Sequence, residues 1–529
     1  MALEPVRAGT ADAVDEGMRV AVCLVAMVGA LGCAPRLPAP RPPAVVTALA
    51  APVTPPPPAA EDAASPEPPS PPPSRPRLDV VIAEEVAVLA PATIFYFLTT
   101  NLQREDFELA WDWPSWRTKL TSFDAVAFDT GNWQSNTFRH PLHGVLTYQA
   151  VRANGHGAVA ATLVDLASTV IWEYVVEYRE RISLNDVIVN NASGVALGEP
   201  MWQFGFLGDD PGANPLRRGL AWLLSPIQRL HAALGYRPWR RPAPGWARLE
   251  LALGGGAVDH GAGAVGELRA GLDVAVRRAP YLGRAGVGSS AVGLGGWSRV
   301  VWSMRGRADQ LRQTHVSTVA SYDGRYHRAL DSAGRGADRW LMLGVGFDYD
   351  SRSLDAEGRD RMAVFHVLQP RIAATRWDGP ARSLGWELAL GCDVGMIQAH
   401  VFGPVLPFAP LPQTAVLRTR GYYYGAGLSL AARLVWVTPL ATVDLEGAAT
   451  ALTSIDGYDR KELFGAENDP HDIADQRLWG RATLGTPTQW LDGVRLEVAA
   501  EAALRRGTWQ GAARVTHEVD LGAGLVVPF

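Results

Sequence analysis

The sequence predicts an α+β multidomain chain, in which an N-terminal signal and a Pro-rich tether precede a small α-helical module and a C-terminal antiparallel transmembrane β-barrel of about 12 strands. Three observations lead to this prediction. An apolar run near the N-terminus marks a secreted chain. Apolar residues then recur with a helical period up to about residue 207, and with a period of two after Gly245.

Length and charge bound the remaining possibilities. A chain of 529 residues is too long for one ordinary domain. Its 49 basic and 54 acidic residues give a net charge of −5 without long runs of either sign, so no nucleic-acid partner is expected. The composition shifts predict five segments: targeting segment 1–33, Pro-rich disordered linker 34–77, helical module 78–207, connector 208–244 and β-barrel 245–529.

Within the targeting segment the signal pattern runs from Met18 onward, so residues 1–17 resemble an overlong start, and Met1 and Met18 both stay open as the true start. From Met18 a basic residue is followed by about a dozen apolar residues, a run too short to span a bilayer comfortably, and then by small residues before Cys33. This pattern predicts a secretory signal. ALGC also resembles a bacterial lipobox, so Cys33 is a candidate for lipidation, with plain signal cleavage as the alternative. The Pro- and Ala-rich segment that follows predicts a stiff tether.

Cysteine usage points away from a disulfide framework. The chain has three cysteines, and two of them, Cys23 and Cys33, lie in the targeting segment. Cys392 then stands alone, and its position predicts a packed thiol on a strand.

Helical periodicity predicts several helices in the module and one in the connector. The aromatic segment 111–133, with WDWPSW and GNWQSN, is predicted to be loop. The predicted helices cover residues 84–101, 141–152, 159–179, 184–197 and 220–234.

Alternation is clearest in the last stretch, RVTHEVDLGAGLVVPF. One face carries Val515, Val519, Leu521, Ala523, Leu525, Val527 and Phe529. In a transmembrane barrel this apolar face meets lipid and the polar face lines the lumen, whereas a soluble sandwich would reverse the roles. The secretion signal, aromatic residues near strand ends and the terminal Phe529 favour the barrel. Outer-membrane lipid and, through Phe529, the barrel assembly machinery are therefore the expected partners, and both ends of the barrel should face the periplasm.

Two polar series mark the helices on either side of residue 182. Asp165, Thr169, Glu173 and Glu177 form one stripe at i, i+4 spacing. The second series has the same spacing and consists of Asp186, Asn190, Gly194 and Gly198. Because it ends in two glycines, it would let another helix approach closely. Ser183 and Asp186 have the spacing of a capping box. We expect the stripe and the series to face each other in a helical hairpin.

These acids have a structural and a chemical interpretation. In the structural one, Glu173 bonds Asn190, and Glu177 pairs with Arg179, Arg181 or Arg152. In the chemical one, His140 and His143 join the carboxylates as metal ligands or as general acid and base. A pocket for a ligand or a lipid headgroup is a third possibility. We expect the structural interpretation, with no cofactor or metal and no assigned catalytic residue; the candidates for catalysis are His140, Glu173 and Asp186.

Residues 140–199 resemble an uncharacterised family of bacterial envelope proteins, domain of unknown function family 3943. The matching blocks are HPLHG, VRANG, WEYVVE, SLND and GVALGE, which include Arg152, Glu177, Ser183, Asn185, Gly194, Gly198 and Glu199. The resemblance implies a secreted protein with a helical module ahead of a β-rich region. It implies no reaction, and His143 lies outside the family pattern.

Together these features predict an outer-membrane barrel with a periplasmic helical module, in a structural, interaction or transport role without catalysis. We expect the module to plug or dock at the barrel mouth, with His140, Glu173, Asn185 and Asp186 organising its polar centre. The alternative is a membrane-lipid-modifying hydrolase or transferase that uses His140, Glu173 and Asp186. A passive or ligand-specific channel is the third hypothesis. The sequence does not identify a protein partner.

Overall fold

The structure is a computed structural model of the full chain. It describes residues 75–98, 112–122, 125–127, 133, 135–209, 212–239, 246–259, 263–279, 282, 285–307, 310–353, 359–379, 381–397, 422–455, 473–487, 493–509 and 512–529. The predicted signal, Cys33 and residues 34–74 of the predicted linker lie outside these residues.

Among the described residues before 234, most lie in helices. Two of them continue as wider turns, α4 through Trp172–Val176 and α5 through Gly194–Gly198. The helices are α1 Leu78–Tyr96, α2 Trp113–Thr121, α3 His140–Ala153, α4 Ala158–Ile171, α5 Leu184–Ser193, α6 Glu199–Gly205, α7 Pro215–Leu224 and α8 Pro226–Ala233.

Two sequence predictions about these helices need correction. Segment 111–133 is not all loop, because α2 lies within it; Asp112 caps this helix by accepting the backbone N–H of Ser115. The single helix predicted for 220–234 is two helices. Pro226 starts the second one, since proline lacks the N–H that would continue the first.

Strands fill the described chain from residue 246 onward. Two short strands of the module, β1 Val126–Ala127 and β2 Ile182–Ser183, pair in parallel. The others are β3 Trp246–Asp259, β4 Ala264–Arg277, β5 Gly286–Ala291, β6 Trp297–Arg307, β7 Gln310–Leu330, β8 Arg335–Ser353, β9 Arg359–Asp378, β10 Ser383–Ile397, β11 Tyr423–Val437, β12 Thr442–Ser454, β13 Ile473–Gly485, β14 Arg495–Trp509 and β15 Ala512–Pro528.

These strands close into a barrel. The sheet order is β5-β7-β6-β4-β3-β15-β14-β13-β12-β11-β10-β9-β8, and β7 also pairs with β8. The closed circle therefore has 12 antiparallel strands, with β5 as an edge on the second half of β7. The predicted fold class is confirmed.

Ion pairs identify the lumen face of the strands. Arg352 on β8 contacts Glu518 on β15 at 3.3 Å, and Arg477 on β13 contacts Asp350 on β8 at 3.7 Å. Arg505 on β14 likewise pairs with Asp360 on β9. Strands so far apart in the sheet order can exchange side-chain contacts only through the lumen, so these residues point inward.

The opposite face of the barrel is apolar and exposed. On β15, Val515, Val519, Leu521 and Leu525 are between 43 and 59 % exposed, which agrees with the alternation of the last stretch. A belt of large apolar residues on the outside is what a bilayer requires of a barrel. The described strands thus form a transmembrane β-barrel.

The helical module, defined here as residues 78–234, lies against the outer wall of this barrel. Phe347 and Phe365 are directly paired on β8 and β9 and point outward, yet both are buried against Tyr148, Val189 and Val195 of the module. The described helices therefore cover the wall rather than fill the lumen. Of the two alternatives expected for the module, plugging or docking at the barrel mouth, plugging is wrong for the described part of the chain, because its helices pack on outward-facing wall residues such as Phe347 and Thr318.

Candidate functional site

The described residues of the helical module form three polar clusters, and the first contains the predicted acids. Glu173, Glu177 and Asp186 each offer a carboxylate oxygen within 4.8 Å of the other two. His140 Nε2 lies 3.4 Å from Asp186 Oδ2. The structure thus brings together the histidine and the acids that the sequence singled out, and we call them the acidic cluster.

Local geometry explains why these acids converge. Ser183 is the N-cap of α5, where its hydroxyl accepts the backbone N–H of Asp186 at 3.2 Å. The backbone N–H of Ser183 in turn donates to Glu173 Oε2 at 2.6 Å, and Asn185 Nδ2 donates to Asp186 Oδ1 at 2.8 Å. One chain reversal therefore ties the end of α4 to the start of α5.

A buried lysine supports the same reversal, and sequence reasoning missed its role. Lys119 Nζ donates to the carbonyl oxygens of Glu173, Glu177 and Glu180, the last two at 2.8 Å. Lys119 is 2 % exposed, and it is one of two lysines in the chain, a rarity that could have drawn attention to it. It brings a positive charge to the turn that carries the acids.

The second cluster centres on Glu199, which is fully buried. Its carboxylate accepts hydrogen bonds from Tyr148 Oη at 2.8 Å, Arg152 Nε at 3.0 Å and Gln203 Nε2 at 2.5 Å. The Arg152 guanidinium also lies 5.5 Å from the ring centre of Trp202. Arg152, predicted as a partner for Glu177, forms an ion pair with Glu199. A charge held by three donors in this way is satisfied.

The third cluster joins α1, α3 and α4. Glu85 Oε2 accepts hydrogen bonds from Thr147 at 3.1 Å and from Ser168 at 3.2 Å, and His143 Nε2 lies 3.2 Å from the Ser168 hydroxyl. Asp165, fully buried, has no hydrogen-bond partner for either oxygen among the described residues. His143 therefore lies with Ser168 and Glu85 rather than with the acidic cluster.

Three glycines let the helices of the module approach closely. Gly194 and Gly198 belong to the series that is predicted to face another helix, and Gly144 lies on α3. A Cβ on Gly194 would collide with the Asp165 carboxylate, and one on Gly198 would come within 3.1 Å of the Tyr148 ring. A Cβ on Gly144 would collide with the backbone carbonyl of Asn190. The close contact of α3 with α5, and with the turn Gly194–Gly198 that continues α5, therefore requires glycine at these positions.

The acidic cluster has the donor types for two kinds of chemistry. Three carboxylates within reach of one another suit a hard divalent cation, and a histidine beside a carboxylate can move protons. Glu173 and Asp186 also form hydrogen bonds in the chain reversal between α4 and α5. The same two carboxylates therefore also have a structural role.

A further ion pair lies at the end of the module near the chain termini of the barrel. His231 Nε2 on α8 bonds Glu84 Oε1 at 2.5 Å, and its Nδ1 lies 3.2 Å from the Ala153 carbonyl. Burial opposes the charged form, but the hydrogen bond and charge of Glu84 outweigh it and raise the pKa of His231 above its ordinary value. This pair connects α1, α3 and α8.

Comparison with known families confirms the resemblance found in the sequence. Residues 125–227 match the family described as domain of unknown function DUF3943. No curated protein matches the chain. The family match lies within the helical module, of which it covers residues 125–227, and leaves the barrel to be judged by its own structure.

Solved structures with some similarity are outer-membrane barrels. The NanC porin is 9 % identical, with 52 % of this chain and 98 % of that chain covered and a TM-score of 0.23. The KdgM porin is 10 % identical, with 53 and 99 % covered and a TM-score of 0.22. The translocator domain of the autotransporter NalP from Neisseria meningitidis is 13 % identical, with 58 and 97 % covered and a TM-score of 0.19. Scores this low carry no argument, so the barrel rests on its own hydrogen-bonded strands.

Proposed function

We propose that this outer-membrane β-barrel does not conduct solutes, and that its role is to hold the helical module in the envelope as a structural or interaction element. The observation that carries the proposal is the occupied lumen. Arg305 Nη1 on β6 bonds Asp520 on β15 at 2.7 Å, and Arg352 reaches Glu518 across the barrel. Such pairs fill the space that a porin leaves for water.

Aromatic residues narrow the other end of the lumen. Trp297 and Trp340 meet edge to face with ring centres 5.0 Å apart, and the Arg277 guanidinium lies 3.7 Å from the centre of the Trp297 ring. The cavity at this point holds only about 10 Å³, roughly one water molecule. Both ends of the lumen therefore carry side chains that oppose solute passage.

We further propose that the end bearing Trp246 and Phe529 is the periplasmic one. The connections there between β7 and β8, β9 and β10, and β11 and β12 cover only residues 331–334, 379–382 and 438–441. Short turns of this kind belong to the periplasmic side of outer-membrane barrels. Helices α6 and α7 pack beside Phe529 at this end, which supports a periplasmic position for that part of the module.

Conductance in planar bilayers tests the proposal. Purified full-length protein should give no stable conductance steps at neutral pH. A variant with Arg305→Ala and Arg352→Ala removes two cross-lumen cations and should conduct measurably more than wild type. Arg335→Ala is the matched control, because its pair with Asp378 is exposed at a turn, and it should stay silent. Porin-like steps from wild type would refute the proposal.

Catalysis on membrane lipid remains the second candidate because His140 lies 3.4 Å from Asp186 within the acidic cluster. Its test is the lipid mass spectrum of cells that make wild type or Glu173→Gln at equal levels of folded protein. Product that depends on Glu173 would establish the enzyme and displace the structural role.

A further inference from the structure

The part of the barrel wall covered by the module follows one row of paired residues. In order across the sheet, each directly paired with the next and therefore on the same face, these residues are Leu249, Val274, Val300, Thr318, Phe347, Phe365 and Val394. We call them the diagonal row. Phe347 lies opposite Thr318, whose hydroxyl donates to the Ala196 carbonyl of the module at 2.8 Å.

The diagonal row climbs from one end of the barrel to the other. Val274 lies three residues before the end of β4 at the side of the chain termini, and Val394 lies three residues before the end of β10 at the opposite side. Strands of a barrel are tilted by roughly 40°, so a row perpendicular to them rises along the barrel axis. A module seated on this row extends over the full height of the apolar belt.

Contacts at both ends of the diagonal row support this placement. Near the chain termini, Phe204 and Leu207 pack against Leu249 and Val274. Near the far end, Asn136 Nδ2 donates to the hydroxyls of Tyr422 and Tyr424 at 2.6 and 2.9 Å. The module is thus fixed to the wall at both heights.

The side of the module that faces away from the wall is apolar. Helix α4 exposes Val159 by 76 %, Leu163 by 59 % and Val175 by 60 %, and α1 exposes Ile82 and Ile94 by 57 and 60 %. Asp165 and Glu173 of the same α4 segment are instead fully buried. A water-soluble module would arrange these residues the other way round.

The length of α4 with its continuing turn fits the thickness of a bilayer. Ala158–Val176 has 19 residues and a mean hydropathy of 1.5, and only 33 % of this apolar stretch is buried. At 1.5 Å per residue it extends about 28 Å, close to the roughly 30 Å of a hydrocarbon core. Its polar residues face the protein interior, as is usual for intramembrane helices.

We propose that α1 and α4 form a helical layer embedded in the outer membrane, with their exposed faces in contact with lipid acyl chains. The layer adds to the apolar belt of the barrel, which includes the exposed leucines of β10 and β11. The acidic cluster and the Glu199 cluster then lie between the barrel wall and the lipid. This inference rests on the proposed outer-membrane position of the barrel and adds a lipid surface to the module.

Photo-crosslinking to lipid tests the inference. The residue p-benzoylphenylalanine is placed at Leu163 on α4, at Leu430 on the barrel belt or at Asp331 in an exposed turn. Each protein is folded into vesicles of phosphatidylethanolamine and phosphatidylglycerol and irradiated, and lipid adducts are measured by mass spectrometry. A heat-dependent gel shift verifies that each barrel is folded, and Val175 replaces Leu163 if that variant does not fold.

We expect adduct yields at Leu163 within about twofold of those at Leu430 and at least fivefold above those at Asp331. A yield at both Leu163 and Val175 no higher than at Asp331, with Leu430 reactive, would overturn the lipid contact and leave the barrel in the membrane. Low yields at all three positions would overturn the outer-membrane position itself, so the two failures are distinguishable.

Discussion

At the residue scale, two fully buried carboxylates of the module, those of Glu199 and Glu173, accept hydrogen bonds from neighbouring donors. Glu199 is the clearest case, with Tyr148, Arg152 and Gln203 all donating to it. The Glu173 carboxylate is tied to the backbone of Ser183. Since an ion without partners in an apolar setting costs several kcal/mol, these bonds stabilise the two carboxylates between the barrel wall and the proposed lipid surface.

The His231–Glu84 pair gives a pH-dependent stability. The folded-state pKa of His231 is above the unfolded value of 6.5, so its contribution is fully present below pH 6.5 and is lost as pH rises through the raised pKa. We expect the thermal midpoint of the full protein in detergent to fall more between pH 6 and pH 9 for wild type than for His231→Gln. Equal falls in the two proteins would show that this pair does not contribute.

At the element scale, the hairpin of α4 and α5 and its contact with α3 depend on small residues. Asn190 lies on α5 where the sequence placed it, and its backbone carbonyl faces Gly144 of α3. Phe347 and Phe365 of the wall then pack against the helices that this contact holds together. Helix packing and docking are therefore parts of one arrangement.

A glycine substitution on α3 tests this arrangement. Gly144→Ala places a Cβ into the Asn190 carbonyl, and we expect it to lower the free energy of unfolding by about 1–3 kcal/mol in urea titrations in detergent. Gly219→Ala is the control, because Gly219 lies in helix α7 with open space around it. It should be neutral or stabilising by up to about 1 kcal/mol. Equal stability of Gly144→Ala and wild type would contradict the close packing.

At the scale of the whole molecule, the sequence predicts the barrel well because alternation is a local signal. Val519 and Leu521 face outward as the alternation of the last stretch indicates. The polar contacts are only partly predictable. The spacing of Ser183 and Asp186 indicates a helix cap in the module, whereas the Arg352–Glu518 pair of the lumen joins residues 166 positions apart. An outward residue of the barrel wall, such as Phe347, follows the same apolar alternation whether lipid or a helix covers it. The sequence alone therefore does not show that the module packs on the wall.

The chain as a whole thus combines a barrel with an occupied lumen and helices on its outer wall. Its segment boundaries, the lipidation of Cys33 and the recognition of Phe529 by the assembly machinery stay predictions. The central claim is that the module packs on the outward face of β7 and its neighbours, since both the structural role and the lipid surface depend on it.

Cysteine crosslinking in membranes of producing cells tests that claim most directly. In a Cys392→Ser background, Ala196→Cys is combined with Thr318→Cys on the outward face or with its neighbour Val319→Cys on the lumen face. After treatment with a short thiol crosslinker, we expect a linked species, visible as a changed gel mobility, for the pair with Thr318 and at least fivefold less for the pair with Val319. No linkage with Thr318, or equal linkage with both positions, would contradict the placement of the module on the outer wall.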